Sequence, residues 1–443
     1  MKVLIVGYGI TGKSVEKFLK NKNVETIVAK EDIINAKQLN KEISDRLLSG
    51  LSFIVTSPGV SQDVEILKQA RKRKIKIVGE FDFGASQLKC DAIAVTGTNG
   101  KTTTVSIINH LLQSYDGKVF LGGNIGTPVT EFCEKTSKTD VAVLECSSFQ
   151  LERVKNFKPH IAAILNITPD HLNRHKTMEK YISCKHKITK NQTSNDYLIL
   201  NADDEFLIKN PPKTKAKVLY FSTKKKVVGC YVKRGSIYFN DGLKETKLAS
   251  LSGVRLVGEH NISNILCATL AVFLQTNCTA FLGNIKTFQG VAHRIEFVKT
   301  IEGVSFYNDS KATNIDSTLT ALKSFSCGIN LIVGGSDKGY GFDKLFESLP
   351  KNVAHIAVFG ETRNKIVLSA KKYNFKNYYI CEGLKAATTL CFKLAKHGEI
   401  VLLSPACASF DCFSNYEERG VCFKQIVGEI ENENARFECS KKT

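Results

Sequence analysis

The run Thr96-Gly97-Thr98-Asn99-Gly100-Lys101-Thr102-Thr103 gathers two glycines, a lysine and a set of hydroxyls into one short stretch. That combination suits a polyphosphate. Glycines let backbone amides approach phosphate oxygens, a helix beginning there points its positive end at them, and the Lys101 ammonium offsets their charge. The Thr102 hydroxyl is placed to ligate Mg²⁺. Apolar residues 92–95 precede the run as a strand, and Val105, Ile108, Leu111 and Leu112 follow at helical spacing. An ordinary turn before a helix needs no such set, so ATP is expected at Gly97, Thr98, Asn99, Gly100, Lys101, Thr102 and Thr103. Only two residues separate Gly97 from Gly100, which makes the loop shorter than the common G-x-x-x-x-G-K-[ST] form.

Further candidates follow downstream. Residues 141–144 are apolar and end in Glu145, which puts a carboxylate at the C-terminal end of a central strand, where α/β enzymes gather ligands; Mg²⁺ coordination follows. A strand over 161–166 leads to Thr168-Pro169-Asp170-His171-Leu172-Asn173-Arg174 and then to a helix carrying Lys185. His171 near phosphate ligands could hold a second Mg²⁺, although an isolated histidine is more often a satisfied surface or core residue. Asn261 and Asn264 lie in Gly258-Glu259-His260-Asn261-Ile262-Ser263-Asn264, just before an apolar helix over 265–273. Their amides either cap that helix or hydrogen-bond a base or phosphate, and residue type does not choose.

At the N-terminus a strand over 2–6 enters Gly7-Tyr8-Gly9-Ile10-Thr11-Gly12 and a helix through Leu19, the setting of a dinucleotide-type G-x-G-x-x-G. The amides there could face a phosphate, or the glycines could serve close helix packing alone. A nicotinamide site would also want an acidic residue closing the second strand. After residues 24–29 the chain gives Lys30, then Glu31 and Asp32. A nucleotide-sugar pyrophosphate fits better than a dehydrogenase cofactor.

The elements that must position these residues alternate between strand-like and helix-like stretches throughout the 443 residues, the pattern of parallel sheets flanked by helices. Three α/β domains are expected, over 1–79, 80–290 and 291–443. With 43% apolar residues the chain can bury real cores, and no run approaches the roughly 20 apolar residues of a membrane span. The 14 cysteines are scattered through apolar runs, none at C-x-x-C spacing, which argues for reduced thiols in a cytosol and against a structural metal. A net charge of +19 raises nucleic acid as a partner. Yet 51 of the 62 basic residues are lysine, whereas bidentate reading of bases and phosphates favours arginine. A lysine-coated surface biased toward small anions is the better reading.

Five segments carry a more specific signal: Gly122-Gly123-Asn124-Ile125-Gly126, Glu145-Cys146-Ser147-Ser148-Phe149-Gln150-Leu151-Glu152, Asn308-Asp309-Ser310-Lys311-Ala312-Thr313-Asn314, Ser404-Pro405-Ala406-Cys407-Ala408-Ser409-Phe410-Asp411 and Asn415-Tyr416-Glu417-Glu418-Arg419-Gly420. Through them, and through its short phosphate loop, the chain resembles the Mur ligase family across nearly its full length. The resemblance implies that the outer two domains are Rossmann-like and the central one a mixed sheet of P-loop ATPase type, and that the chain is an ATP-dependent amide ligase of cytoplasmic peptidoglycan precursor synthesis. The Ser-Ser-Phe-Gln and Ser-Pro-Ala-Cys-Ala-Ser motifs favour the members that add D-glutamate to UDP-N-acetylmuramoyl-L-alanine over sister ligases adding L-alanine, a diamino acid or a dipeptide. It further implies that Lys101, His171 and Lys185 are catalytic, and that two Mg²⁺ ions are held by Thr102, Glu145, His171 and Lys185, the last as a carbamate. Asn261, Asn264, Arg294 and Asp309 would contact the nucleotide. The UDP substrate would lie on Gly9, Ile10, Thr11, Ser57, Pro58, Gly59 and Asn124, and D-glutamate on Lys338, Thr313, Ser409 and Tyr416. A monomer is expected. The family's acidic residue beside the uracil is replaced here by Lys30 or displaced to Glu31 or Asp32. A folylpolyglutamate synthase would lack the N-terminal glycine motif, and an inactive nucleotide-binding regulator would not keep Lys101, Glu145, His171 and Lys185 together.

Overall fold

The computed structural model describes residues 1–254, 256, 258–337, 339 and 341–440, apart from the side chains at 173 and 433–440. The chain divides into two compact units, the first covering 1–254 and 260–286 and the second built chiefly from residue 287 onward.

The first unit holds two sheets. In one, β1 (Lys2–Val6), β2 (Glu25–Ala29), β3 (Phe53–Thr56) and β4 (Ile77–Gly79) run parallel in the order β2-β1-β3-β4. Val3, Leu4, Ile5 and Val6 are all buried, as expected of a strand covered on both faces by helices. The other sheet contains β5 (Asp91–Thr96), β6 (Val119–Gly123), β7 (Val141–Glu145), β8 (Ile161–Ile164), β9 (Tyr197–Asn201), β10 (Lys217–Ser222), β11 (Gly229–Lys233), β12 (Ser236–Asn240) and β13 (Glu245–Ser250). Its order is β13-β12-β11-β10-β9-β8-β5-β7-β6, parallel from β6 to β11 and antiparallel over the last two pairings. One face of each sheet packs into a continuous core that includes Ile5, Phe81, Leu144 and Phe157, while the other face of the first sheet packs around Leu4, Ile54 and Leu67.

A buried polar chain also joins them. Helix Glu80–Ala85 follows β4, and the Glu80 carboxylate accepts from the Thr130 backbone N–H at 3.3 Å and its hydroxyl at 3.0 Å; that hydroxyl lies 2.6 Å from Ser14 on helix Ile10–Lys20.

The second unit carries one sheet of β14 (Glu296–Ile301), β15 (Val304–Asn308), β16 (Ile329–Gly334), β17 (Val353–Phe359), β18 (Tyr378–Ile380) and β19 (Ile400–Leu403), in the order β14-β15-β19-β16-β17-β18. Only the β14–β15 pair is antiparallel. Its two faces are covered by separate clusters, one around Leu331 and Phe342, the other around Phe306 and Phe423.

Strand and helix ends shift modestly from the sequence expectation. The strand expected over 161–166 stops at Ile164, because the next two residues turn to hold the phosphate loop: the Leu165 amide bonds the Thr96 carbonyl, and Asn166 brackets Asn99. Helix Glu259–Thr276 begins upstream of both Asn261 and Asn264, so neither asparagine caps it. Among the described residues no helix is long and apolar enough to cross a membrane, and every described cysteine is free.

Candidate active site

The C-terminal ends of β5, β6, β7 and β8 bring the sequence candidates together. Register pairs Val95 with Glu145 and Glu145 with Gly123, so the phosphate loop, the carboxylate and the Asn124 turn leave the sheet at one level. Helix Lys101–Leu111 starts directly from Gly100, which has φ +84°. A Cβ there would sit 2.4 Å from Asn264 Oδ1, so glycine is required by both conformation and space. Asn166 fastens the loop from the far side, accepting from the Asn99 amide at 2.8 Å and donating to the Asn99 carbonyl at 3.1 Å.

Glu145 is buried and receives hydrogen bonds on both oxygens, from Thr102 Oγ1 at 2.8 Å and from Asn124 Nδ2 at 2.8 Å. A hydroxyl and a carboxylate at the head of a phosphate loop form the hard-oxygen donor set that Mg²⁺ takes beside nucleotide phosphates. Among the described residues no three His, Cys, Asp or Glu side chains cluster into a closed metal cage.

Lys185 is the least expected presence. Helix Met178–His186 carries it into the interior, 1% exposed, where Nζ donates to the Gly97 carbonyl at 2.7 Å and lies 4.7 Å from the Tyr181 ring. Burial, with the nearby Lys101 charge second, pushes its ammonium down to about 7. Lys101 donates to the same carbonyl and to that of Thr98, each at 2.8 Å. Tyr181 docks the helix on the loop through its hydroxyl, 2.9 Å from Thr98 Oγ1.

His171 stands at the edge of this group with φ +51°, its side chain half exposed. Its ring approaches Asp170 at 3.4 Å and Phe149 at 4.9 Å. Asn261 and Asn264 are buried beside the loop, with Asn264 Oδ1 accepting from Thr104 at 3.3 Å.

In the N-terminal sheet, Gly7 and Gly12 are needed for packing. A Cβ on Gly12 would meet the Gly7 carbonyl at 2.1 Å, and one on Gly7 would meet Ser57 at 2.8 Å. Gly9 and Gly59 have open space instead. The packing reading of the motif therefore holds at Gly7 and Gly12, while Gly9 is not needed for packing. Ser57 Oγ donates to the Gly7 carbonyl at 2.8 Å, which joins the Ser57-Pro58-Gly59 turn to the glycine loop, and Ile10 stands 79% exposed with Thr11 next in the chain. Lys30 stands at the N-cap position of the short helix Glu31–Asn35, directly after β2, without a side-chain capping hydrogen bond.

In the second unit, Asp309 is buried after β15, accepting from the Ile295 amide at 3.2 Å and Ser404 Oγ at 2.7 Å, and burial pushes its carboxyl up to about 7. Arg294 sits between His293 and Ile295, both at positive φ. Ser409 is buried in the loop after β19, while Thr313 and Tyr416 are partly exposed. Lys338 lies outside the described residues.

Three arginines carry structure that the sequence reading left without a role. Arg419 is fully buried and donates to Ser310 Oγ and to the carbonyls of Ser310, Cys407 and Ala408, tying β15's loop to β19's. Arg153 donates to Thr56 and, at 3.2 Å, to the Val60 carbonyl. Arg174 does likewise at Pro58, Gly59 and Val60. A usable signal was present: in a chain that takes lysine as its default cation, an arginine marks a place where a planar fork is needed.

Residues 1–79 match the family model of the Mur ligase MurD-like N-terminal domain, 95–272 that of the Mur ligase middle domain, and 293–407 that of the Mur ligase glutamate ligase domain. Among curated relatives, the UDP-N-acetylmuramoylalanine–D-glutamate ligase of Lachnoclostridium phytofermentans is 38% identical, covering 98% of this chain and 99% of its own. The ligase of the same name from Koribacter versatilis is 40% identical over 96% of this chain and 97% of its own. Among solved structures, UDP-N-acetylmuramate-alanine ligase MurC from Thermotoga maritima superposes with a TM-score of 0.59 at 19% identity, covering 97% of this chain and 99% of that one. MurF ligase from the same organism, solved in complex with ADP, gives 0.54 at 19% identity over 90% of this chain and 100% of its own. At such identities these two show a shared fold.

Proposed function

Because the chain belongs to the Mur ligase family, we infer that it is an ATP-dependent amide ligase that joins D-glutamate to UDP-N-acetylmuramoyl-L-alanine in peptidoglycan precursor synthesis. The observation that carries this reading is the convergence of Lys101, Thr102, Glu145 and Lys185 around one phosphate loop. A free carboxylate does not acylate an amine, because its leaving group would be oxide. Phosphoryl transfer from ATP to the alanyl carboxylate gives an acyl phosphate, and attack by the D-glutamate amine then expels phosphate.

The residues divide this work by position. Backbone amides of Gly97 to Gly100 and the start of helix Lys101–Leu111 receive the phosphates, and Lys101 moves its charge from the loop carbonyls to the transferring group. Thr102 and Glu145 are the ligands we assign to one Mg²⁺, and His171 with carbamylated Lys185 to a second. When bound, such ions polarise phosphoryl oxygens and neutralise developing charge. A bare Lys185 ammonium would repel a cation. Its pKa of about 7 leaves much of the amine neutral near pH 7, which is the form that adds to CO₂, losing a proton and becoming an anionic oxygen donor.

Residues 1–79 form the proposed UDP-substrate domain, with Gly9, Ile10, Thr11, Ser57, Pro58 and Gly59 as its contacts and Asn124 reaching from β6. Residues 80–290 form the ATPase domain, to which Asn261 and Asn264 bring nucleotide contacts. Residues 291–443 supply Arg294 and Asp309 for the nucleotide and Lys338, Thr313, Ser409 and Tyr416 for D-glutamate. A cytoplasmic enzyme accords with buried free thiols such as Cys146 and Cys267. The deciding experiment is phosphate release by the purified protein with UDP-N-acetylmuramoyl-L-alanine and each candidate amino acid in turn. D-Glutamate should give the highest kcat/KM, and a preference for L-alanine or a dipeptide would overturn the assignment.

A further inference from the structure

Arg174 stands in helix Leu172–His175, immediately after His171. Its guanidinium is directed at backbone: Nη1 donates to the Gly59 carbonyl at 3.1 Å, and Nη2 to the carbonyls of Pro58 at 3.3 Å and Val60 at 3.0 Å. Nη2 also meets Glu152 Oε2 at 2.9 Å. The guanidinium carbon lies 4.7 Å from the centroid of the Phe149 ring, and that ring contacts His171. One side chain therefore touches the Ser57-Pro58-Gly59 turn of the N-terminal sheet and the aromatic ring on which His171 rests. The helix between them is a single turn, bounded by left-handed residues His171 and Lys176.

A planar fork can satisfy several carbonyls and a ring together, whereas an ammonium of the same charge acts as a point donor. We propose that Arg174 is a positioning residue that couples the sugar-nucleotide turn to His171, so that substrate seated on residues 57–59 fixes His171 at the phosphate site before phosphoryl transfer. The proposal rests on the assignment of residues 57–59 to the UDP substrate made above. It predicts a reciprocal linkage: UDP-N-acetylmuramoyl-L-alanine tightens binding of MgATP, and MgATP tightens binding of the sugar nucleotide by the same factor.

The test is calorimetric titration of UDP-N-acetylmuramoyl-L-alanine with and without a saturating non-hydrolysable ATP analogue and Mg²⁺, on wild type, Arg174→Lys, Arg174→Gln and Glu152→Gln. The wild type should show coupling of about tenfold, within the ~5- to 150-fold range common for linked sites. Arg174→Lys and Arg174→Gln should bind each ligand alone nearly as wild type does, lose most of the coupling, and lower kcat while leaving KM for D-glutamate unchanged. Glu152→Gln, which keeps all three carbonyl contacts, should retain the coupling. Wild-type coupling in both Arg174 variants, or its absence from wild type, would overturn the proposal. So would a uniform loss of both affinities with a lowered melting temperature, which would make Arg174 a structural brace. Failure of the wild type to release phosphate with D-glutamate would count against the functional reading itself, whereas normal release with unchanged coupling in Arg174→Lys would count against the coupling alone.

Discussion

Gly97 offers one carbonyl oxygen to two ammonium groups, Lys101 at 2.8 Å and Lys185 at 2.7 Å. Two like charges on one acceptor repel, and the repulsion adds to burial in lowering the Lys185 pKa. Their roles should separate on mutation. Lys101→Ala should abolish phosphate release while circular dichroism and melting temperature stay near wild type, because its bonds to the Gly97 and Thr98 carbonyls lie within the loop itself; an unchanged turnover would remove the phosphate-transfer role. Lys185→Ala should also be inactive, with no recovery in bicarbonate and partial recovery with a short carboxylic acid filling the place of the carbamate. Intact mass of active wild-type protein lacking the added carboxylate would refute that second expectation. The phosphate-loop residues and Glu145 were legible in the sequence because residue type, spacing and a strand end declare the chemistry locally. Arg174 and Arg419 were not, since what they bind are carbonyls of distant segments, and a sequence does not print which carbonyls need donors.

The element that concentrates the site is the strand–loop–helix unit from β5 to Leu111, and its geometry depends on Gly100. An alanine there must adopt φ near +84° and push Asn264 away. Left-handed backbone costs about 1–2 kcal/mol for a residue with a Cβ, enough to favour a relaxed loop in the free protein, and regaining the phosphate-binding shape then costs roughly tenfold in affinity. Gly100→Ala should therefore weaken binding of an ATP analogue by at least about tenfold, with UDP-substrate affinity measured alone unchanged; equal weakening of both would indicate general misfolding. Element order was readable from periodicity and from apolar runs buried on both faces. Boundaries were less so. Asn261, Ser263 and Asn264 have low helical propensity, yet they sit inside helix Glu259–Thr276, where neighbouring Ile265, Leu266 and Leu270 are fully buried. Tertiary packing decides such ends, and local preference does not report it.

Across the whole molecule, three α/β sheets were foreseeable from the alternation of elements, while the shared core of the first two was not, since it depends on which faces meet. Glu80 lies where those two sheets join. Burial outweighs the two hydrogen bonds from Thr130 and pushes its carboxyl up to about 7 from the ordinary 4.5. The folded state therefore holds this proton more tightly than the unfolded chain. The stability it confers is complete below pH 4.5 and is lost as pH rises through 7. Glu80→Gln keeps an acceptor for Thr130 without the charge, and should raise stability by about 3 kcal/mol at pH 8, from 1.36 kcal/mol per pKa unit, and by little at pH 5. Denaturant melts at the two pH values check this; a gain independent of pH would show that the carboxyl titrates normally in the fold. The arginine forks carry a different consequence, for substitution history. Where lysine is already the prevailing cation, any arginine that lysine could replace is free to drift to it, so the carbonyl-bound forks of Arg153, Arg174 and Arg419 should resist exchange. Arg73, paired to exposed Asp45, should accept lysine. The rarer of the two basic residues thus gives an inventory of fixed points, readable position by position as tolerance to a single conservative exchange.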